Sequence, residues 1–340
     1  GPGDTRHVAA AAATEPEPEA EPEAGTEADT SSAAAAATAT ATGTATATAT
    51  ATPAEVWADL LAWIEAPQAR WLESLGLRPK EWDQPVLDLE DLALDERQRS
   101  ALLRHPLADA LRSGDPSLPD WHWRERGRGQ LPPQAAGALE VQQLEERWTS
   151  LQQCLELLGE ARAQQLQWDG LEAELTWRGS TPVLVHTGRP RCRQRLRLWL
   201  ELLLAAAAGA APPAAVLVGR DKQRFRALER IAAPSPSQAA AELLQLRHWR
   251  EQHRHSCWPL PPDTGWAFAA AEHNRPGQGW SKARAAWEGG YGGRAERSDA
   301  VQALCFGSDL PLEALLTPAV QPLALALHTP LLNLWEERKR

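Results

Sequence analysis

Methionine is missing from this sequence altogether, position 1 included, which points to a fragment of a longer chain or to a processed one. Cysteine is scarce, and Cys154, Cys192, Cys257 and Cys305 lie far apart without a CxxC pair. That argues against a disulfide framework and a Cys-rich zinc site, and makes a reducing cytoplasm the expected compartment. Long apolar runs are lacking too. The longest, Leu202–Ala211 with its Gly209, falls far short of the roughly 20 residues that a membrane span needs. No basic segment followed by an apolar one stands at the start, so no secretory signal is expected.

The first 53 residues contain no Leu, Ile, Phe, Trp or Tyr and consist mostly of Ala, Thr, Glu and Pro. Such a stretch cannot bury enough apolar surface to offset the entropy of ordering it. The sequence therefore predicts a disordered tail or linker over 1–53, with an acidic part (Thr14–Glu27) and an Ala-Thr alternation (Ser31–Thr52) whose alanines are too small to hold a strand. The formal charge is −10, and the tail carries most of it: Asp4, Glu15, Glu17, Glu19, Glu21, Glu23, Glu27 and Asp29 stand against Arg6. The remainder is close to neutral, so local clusters rather than net charge must indicate partners.

Past Pro53 the apolar period is helical. Val56, Leu60, Leu61 and Ile64 precede Pro67, then Trp71, Leu72 and Leu75 precede Gly76. A turn-rich stretch with Leu89, Leu92 and Leu94 leads to a helix over Asp95–Leu111. Residues 113–133, with Pro116, Pro119, Pro132 and Pro133, read as loop, and Leu139 to Leu158 mark a long amphipathic helix. From Gln164 the period changes: Leu166–Trp177 reads as a hairpin around Asp169-Gly170, and Thr181–Thr187 as a buried strand. A helix over Arg191–Gly209, a strand over Ala215–Gly219 and a helix over Ser237–His253 follow. The expectation is a mixed α/β protein, with a mainly helical part over 54–160 and an α/β domain over 161–340. The right-handed crossover rule makes its two buried strands parallel neighbours.

An α/β core with an early hairpin suggests metal-dependent nucleases, which bind a divalent ion through a hairpin carboxylate and an acid-x-Lys pair on the next strand. Here the hairpin offers Asp169, Glu172 and Glu174, but the strand reads Val183-Leu184-Val185-His186-Thr187. No catalytic residues and no cofactor are therefore expected. There is no GxxxxGK followed by Ser or Thr, and Gly289-Gly290 and Gly292-Gly293 do not open an apolar helix. His248, His253, His255 and Cys257 lack metal-ligand spacing and read as a solvated helix end, with Arg250 at the negative pole of the dipole. Basic clusters are the strongest remaining signal. Arg189, Arg191, Arg193, Arg195 and Arg197 follow one strand, and Arg220, Lys222, Arg224 and Arg226 follow the next. Open sheets bind ligands at the carboxyl ends of their strands, where guanidinium groups can hold a phosphate backbone. The candidate phosphate contacts are thus Arg189, Arg191, Arg193, Arg195, Arg220, Lys222 and Arg224. Most of the 16 tryptophans fall on apolar helix faces and read as core rather than base-stacking platforms.

Several stretches, in order, resemble one known family. They are Leu60-Leu61-Ala62-Trp63-Ile64-Glu65-Ala66-Pro67 continuing to Trp71-Leu72, then Leu75-Gly76-Leu77, Leu131-Pro132-Pro133 before a long helix, and Arg195-Leu196-Arg197-Leu198-Trp199-Leu200 with Gly209. Ser281-Lys282-Ala283-Arg284 with Trp287-Glu288, and Glu296, Arg297 and Asp299, complete them. Together they are similar to the C-terminal region of RecC, the gamma chain of bacterial exodeoxyribonuclease V. The resemblance implies a restriction-endonuclease-like fold that has lost catalysis, in a subunit that helps split duplex ends, guides separated strands and contributes to Chi recognition during double-strand-break repair. It also implies a RecB-like beta chain, a RecD-like alpha chain, double-stranded DNA ends and single-stranded DNA as partners, with no membrane. The upstream helicase-like domains with which that family reads Chi have no counterpart here. Two rival readings remain open: an active metal nuclease using Asp169, Glu172 or Glu174 with His186, and an interaction module without DNA contact.

Overall fold

Twelve α-helices and one six-stranded mixed sheet make up the residues that the computed structural model describes, 51–79, 93–113, 121–290 and 295–337. The tail to residue 50, Leu89, Leu92, Pro116, Pro119 and the stretch 292–294 lie outside them. Helix α1 (Pro53–Glu65) begins at a capping box. The Thr52 hydroxyl accepts from the Glu55 N–H at 3.3 Å, and the Glu55 carboxylate accepts from the Thr52 N–H at 2.7 Å. Pro67 opens α2 (Pro67–Ser74) at the expected break. The Asp95 carboxylate starts α3 (Glu96–Ser113), accepting from the N–H groups of Arg97 and Gln98 at 2.8 and 2.7 Å.

The loop expected over 113–133 needs correction, because Trp121–Gly127 forms a short helix, α4. Its flanking prolines hide it in the sequence. Trp121 holds it by burying among the side chains of Leu144 and Trp148, a tertiary contact that a helix this short requires. The long helix α5 (Gln134–Glu156) follows.

Strands β1 (Ala161–Trp168) and β2 (Leu171–Arg178) form the expected hairpin. Asp169 and Gly170 both have positive φ, 42° and 74°, the primed turn that suits strand twist. After β3 (Thr181–Val185), helix α6 (Cys192–Ala207) crosses over to β4 (Ala214–Asp221), which pairs parallel with β3 through Val183↔Val216 and Val185↔Val218. Helix, hairpin, strand, helix, strand is the expected order of the core.

One strand was not legible. Arg224–Ala232 forms β5, antiparallel to β4, through a tight turn at Lys222-Gln223 with Lys222 at φ 55°. No glycine or asparagine announces that turn, and the charges of Arg224, Arg226, Glu229 and Arg230 mask the alternation of Phe225 and Ile231. Helices α7 (Pro236–Gln252), α8 (Pro262–Asn274), α9 (Gly279–Trp287), α10 (Ala300–Phe306), α11 (Leu312–Leu315) and α12 (Val320–Leu334) complete the helical set. Strand β6 (Trp335–Glu337) pairs with β5, giving the order β1-β2-β3-β4-β5-β6.

Strand alternation divides the core into two layers. Ala215 and Leu217 of β4 face a cluster built from α1, α6, α7 and α12, with Leu60, Trp63, Leu198, Leu243 and Leu331 at its centre. Val216 and Val218 face the other way, onto Leu103, Leu144, Trp148 and Leu151 of α3 and α5. His328 of α12 is completely buried in the first layer, with neither ring nitrogen hydrogen-bonded. The edge of Trp266 lies against it, and Ile64, Leu196 and Leu260 line the same small cavity. Burial pushes its pKa from the ordinary 6.5 down to about 3.

The unfolded chain therefore takes up a proton at His328 below pH 6.5 that the folded chain refuses until about 3, so stability is full above that window and falls as pH drops through it. Urea unfolding at pH 7.5 and 5 is expected to show a marked loss for the parent, and a smaller one for His328→Leu, which keeps the volume and removes the titration.

Candidate nucleic-acid interface

The candidate site is built where β3 and β4 end side by side. The His186 N–H donates to the Val218 carbonyl at 2.9 Å, and the Arg220 N–H to the Gly188 carbonyl at 3.0 Å, so residues 186–190 lie along the end of β4. Gly219 permits this approach, because a Cβ there would come within 2.5 Å of Pro190 Cγ. The buried Thr187 hydroxyl donates to the Ser100 carbonyl at 2.8 Å and fastens the same segment to α3. Held in this way, Arg189, Arg191 and Arg193 emerge on the surface. Arg191 is the N-cap of α6, and its guanidinium stands 3.6 Å from the Asp263 carboxylate with 63% of its side chain exposed.

Alternate spacing does not survive as alternate exposure. Four helical positions past the cap, Arg195 turns inward and is 17% exposed. Its guanidinium grips Glu229 of β5 by a fork of bonds, Nε to Oε2 at 2.9 Å and an Nη to Oε1 at 2.6 Å. The same group lies between two indoles, 4.8 Å from Trp266 and 5.5 Å from Trp335. This corrects the expectation for Arg195: it holds α6, β5 and β6 together and does not stand on the rim. Arg197 likewise turns to Glu201 at 2.9 Å and to Glu65.

The second cluster divides in the same way. Arg220 is 17% exposed and its Nε lies 3.2 Å from Glu96, without the alignment of a hydrogen bond. Glu96 also accepts from the guanidinium groups of Arg147 and Arg99, each at 2.9 Å, while Arg99 reaches the buried Glu140 at 2.7 Å. These neighbouring cations hold the carboxyls of Glu96 and Glu140 below their ordinary value despite the opposing effect of burial. Arg220 thus joins a charge network between α3, α5 and the β4–β5 turn. Lys222 and Arg224 lie on the tip of that turn and are exposed. Among the described residues Arg189, Arg193, Lys222 and Arg224 form no ion pair.

Two residues that sequence reasoning missed belong to this edge. Arg104 of α3 is exposed and close enough to disfavour a charge on His186, together with Arg193 and Arg191. Burial acts first, and the combined effect lowers His186 to about 4, leaving it neutral at physiological pH. Arg104 lies far upstream in the chain, and nothing in its surroundings signals it. Glu296 sits buried at the start of α8, accepting from the Asp263 N–H at 2.9 Å and from the Thr264 N–H and hydroxyl at 2.7 and 2.6 Å. Burial, then the neighbouring Asp263 carboxylate, raises its carboxyl to about 7.

The nuclease-type carboxylates are not assembled into a site. Leu171, Ala173, Leu175 and Trp177 point into the core, so Glu172 and Glu174 face outward. Glu172 accepts from the Gln165 amide, and Asp169 pairs with Arg247 at 2.8 Å. Among the described residues no group of three or more His, Cys, Asp or Glu side chains is placed to hold a metal ion. His253, from the other candidate cluster, instead contacts Ser256 at 3.1 Å and packs its ring against Trp258. No described helix is long and apolar enough to cross a membrane.

Residues 56–273, more than half of the chain, match the family model described as the RecC C-terminal domain. The chain belongs to that family. No curated protein matches it. The match spans α1 to α8 and takes in both halves of the basic edge. Within this RecC-type domain the Glu296, Arg297 and Asp299 stretch lies beyond the matched residues and works structurally, since Glu296 caps α8 and Asp299 caps α10.

Arg195→Ala would leave Glu229 buried and unpaired, and is expected to cost the RecC-type domain about 3–5 kcal/mol in chemical unfolding. Arg195→Lys should recover little of it, because an ammonium can neither fork onto the carboxylate nor stack between two indoles.

Proposed function

We propose that this RecC-related chain acts as a non-catalytic, gamma-type subunit of a RecBCD-like exodeoxyribonuclease V, guiding DNA strands and docking a RecB-like beta chain and a RecD-like alpha chain during double-strand-break repair. One observation carries the reading: exposed cations without ion pairs, Arg189 and Arg193 on one side and Lys222 and Arg224 on the other, lie where β3 and β4 end together. With Arg191 and Arg104 beside them they form a positive edge on a chain whose net charge is negative. Such an edge attracts a phosphate backbone, and each contact releases counterions, so binding weakens as salt rises. The arrangement supports strand guidance better than cleavage, because the outward hairpin carboxylates have no acid-x-Lys partner on β3.

Filter binding of forked DNA across a salt series tests this. Arg191→Glu combined with Arg193→Glu is expected to weaken binding about 10-fold or more and to flatten the salt dependence. Thermal stability should barely move, since the single exposed pair lost, Arg191 with Asp263, contributes little. A parent protein whose weak binding does not respond to salt would favour the interaction module without DNA contact. Mg²⁺-dependent cleavage of linear DNA that Asp169→Ala abolishes would overturn the non-catalytic reading. Co-purification with beta and alpha chains tests the docking.

A further inference from the structure

The four cysteines have no spacing that suggests a partnership, yet the fold brings two of them together. Cys257 lies in the segment between α7 and α8, and Cys305 lies one residue before the end of α10. Helix α2 is the common support. Its buried Gln68 amide donates to the carbonyls of Trp258 and Leu260, each at 3.0 Å, which fixes the segment carrying Cys257, and α10 packs on the same helix. Both thiols are reduced and partly exposed, and their side chains share a hydrogen bond. The Cys257 sulfur also reaches the carbonyl of Trp258, at 3.6 Å.

We propose that Cys257 and Cys305 form a reversible disulfide, produced by a peroxide, that fastens α10 to the segment joining α7 to α8. The pair has no third ligand, for among the described residues no group of three His, Cys, Asp or Glu side chains could hold a metal ion. That directs its chemistry to oxidation rather than to zinc. The hydrogen bond also distinguishes the two sulfurs. The Cys257 S–H donates to the Cys305 sulfur and lowers the Cys305 pKa, while the Cys257 thiol is pushed up. Cys305 is therefore the sulfur that attacks.

In the first step the Cys305 thiolate attacks one peroxide oxygen and the O–O bond breaks. Cys305 becomes a sulfenic acid, and the departing hydroxide takes a proton to leave as water. In the second step the Cys257 sulfur displaces the sulfenic hydroxyl, the S–S bond forms, and the Cys257 proton leaves with that hydroxyl as a second water. Two thiols lose two electrons and two protons, and one hydrogen peroxide becomes two waters. A dithiol reductant reverses the exchange. Cys192 takes no part, being fully buried with its thiol pKa raised.

The test uses the full chain, reduced, treated with hydrogen peroxide, alkylated and mapped by mass spectrometry. The expected result is a cross-linked peptide pair containing Cys257 and Cys305, a mass lower by two hydrogens, and recovery of both thiols with dithiothreitol. Closing a loop of about 50 residues should raise the Tm by roughly 5–10 °C. Cys257→Ser should accumulate a dimedone-reactive sulfenic acid on Cys305. Peroxide that drives Cys305 to sulfinic acid while Cys257 stays alkylatable, or that joins either residue to Cys154 instead, would overturn the proposal. So would a parent protein in which both thiols remain free. Since mapping the parent protein decides the pairing, a variant that fails to fold leaves the test intact.

Discussion

A single crossover helix sets the terms for the rest of this molecule. Along α6, Leu196, Leu198, Trp199, Leu200, Leu202, Leu203, Leu204 and Ala205 are all buried, so the helix is covered on nearly every side. A helix in that position has no solvent face along which to spread charge. Its arginines are confined to the first turns, beside the ends of β3 and β4. Arg191 and Arg193, nearest the start, reach water. Arg195 and Arg197, one turn deeper, cannot, and each is matched by a carboxylate: Glu229 for Arg195, and Glu201 with Glu65 for Arg197. The surface edge and the internal charge pairs are two results of one burial constraint.

The same logic operates on the opposite face of the sheet. Arg147 is almost wholly buried on α5, and the acids it meets, through Glu96, belong to a network with Arg99, Glu140 and Arg220. Removing one member would leave another buried without a counter-charge, which costs more than the intact network contributes. These pairs fix how α3 and α5 sit on the β4–β5 turn, and so where Lys222 and Arg224 project. The positive edge therefore depends on buried ions at both of its ends. Belonging to the RecC C-terminal domain family fits a scaffold of this kind, in which a hairpin, strand, helix and strand persist while the hairpin carboxylates face solvent.

The sequence was most legible where local chemistry and burial agree. The Thr52 capping box, the break at Pro67, the Asp169-Gly170 turn and the parallel pair β3 and β4 are all readable without coordinates. Reading failed where a tertiary contact replaces a local signal. Helix α4 is held by Trp121, and β5 follows a glycine-free turn and carries four charged side chains. Of the seven candidate phosphate contacts, Arg195 and Arg220 are drawn into ion pairs, while Arg104 joins the edge from a helix whose own sequence gives no hint of it.

What the amino-acid order alone determined is the succession of elements, the mixed α/β class and the concentration of arginines after two buried strands, because these follow from periodicity, caps and turn residues acting over a few positions. What only the tertiary structure decided is which of those arginines meet water and which two cysteines meet each other. Both depend on the side chains that distant segments bring alongside: Glu229 and Trp335 beside Arg195, Glu96 beside Arg220, and α2 beneath Cys257 and Cys305. A guanidinium's exposure is fixed by whether a carboxylate lies within reach when its helix is covered, and spacing along the chain carries no record of that.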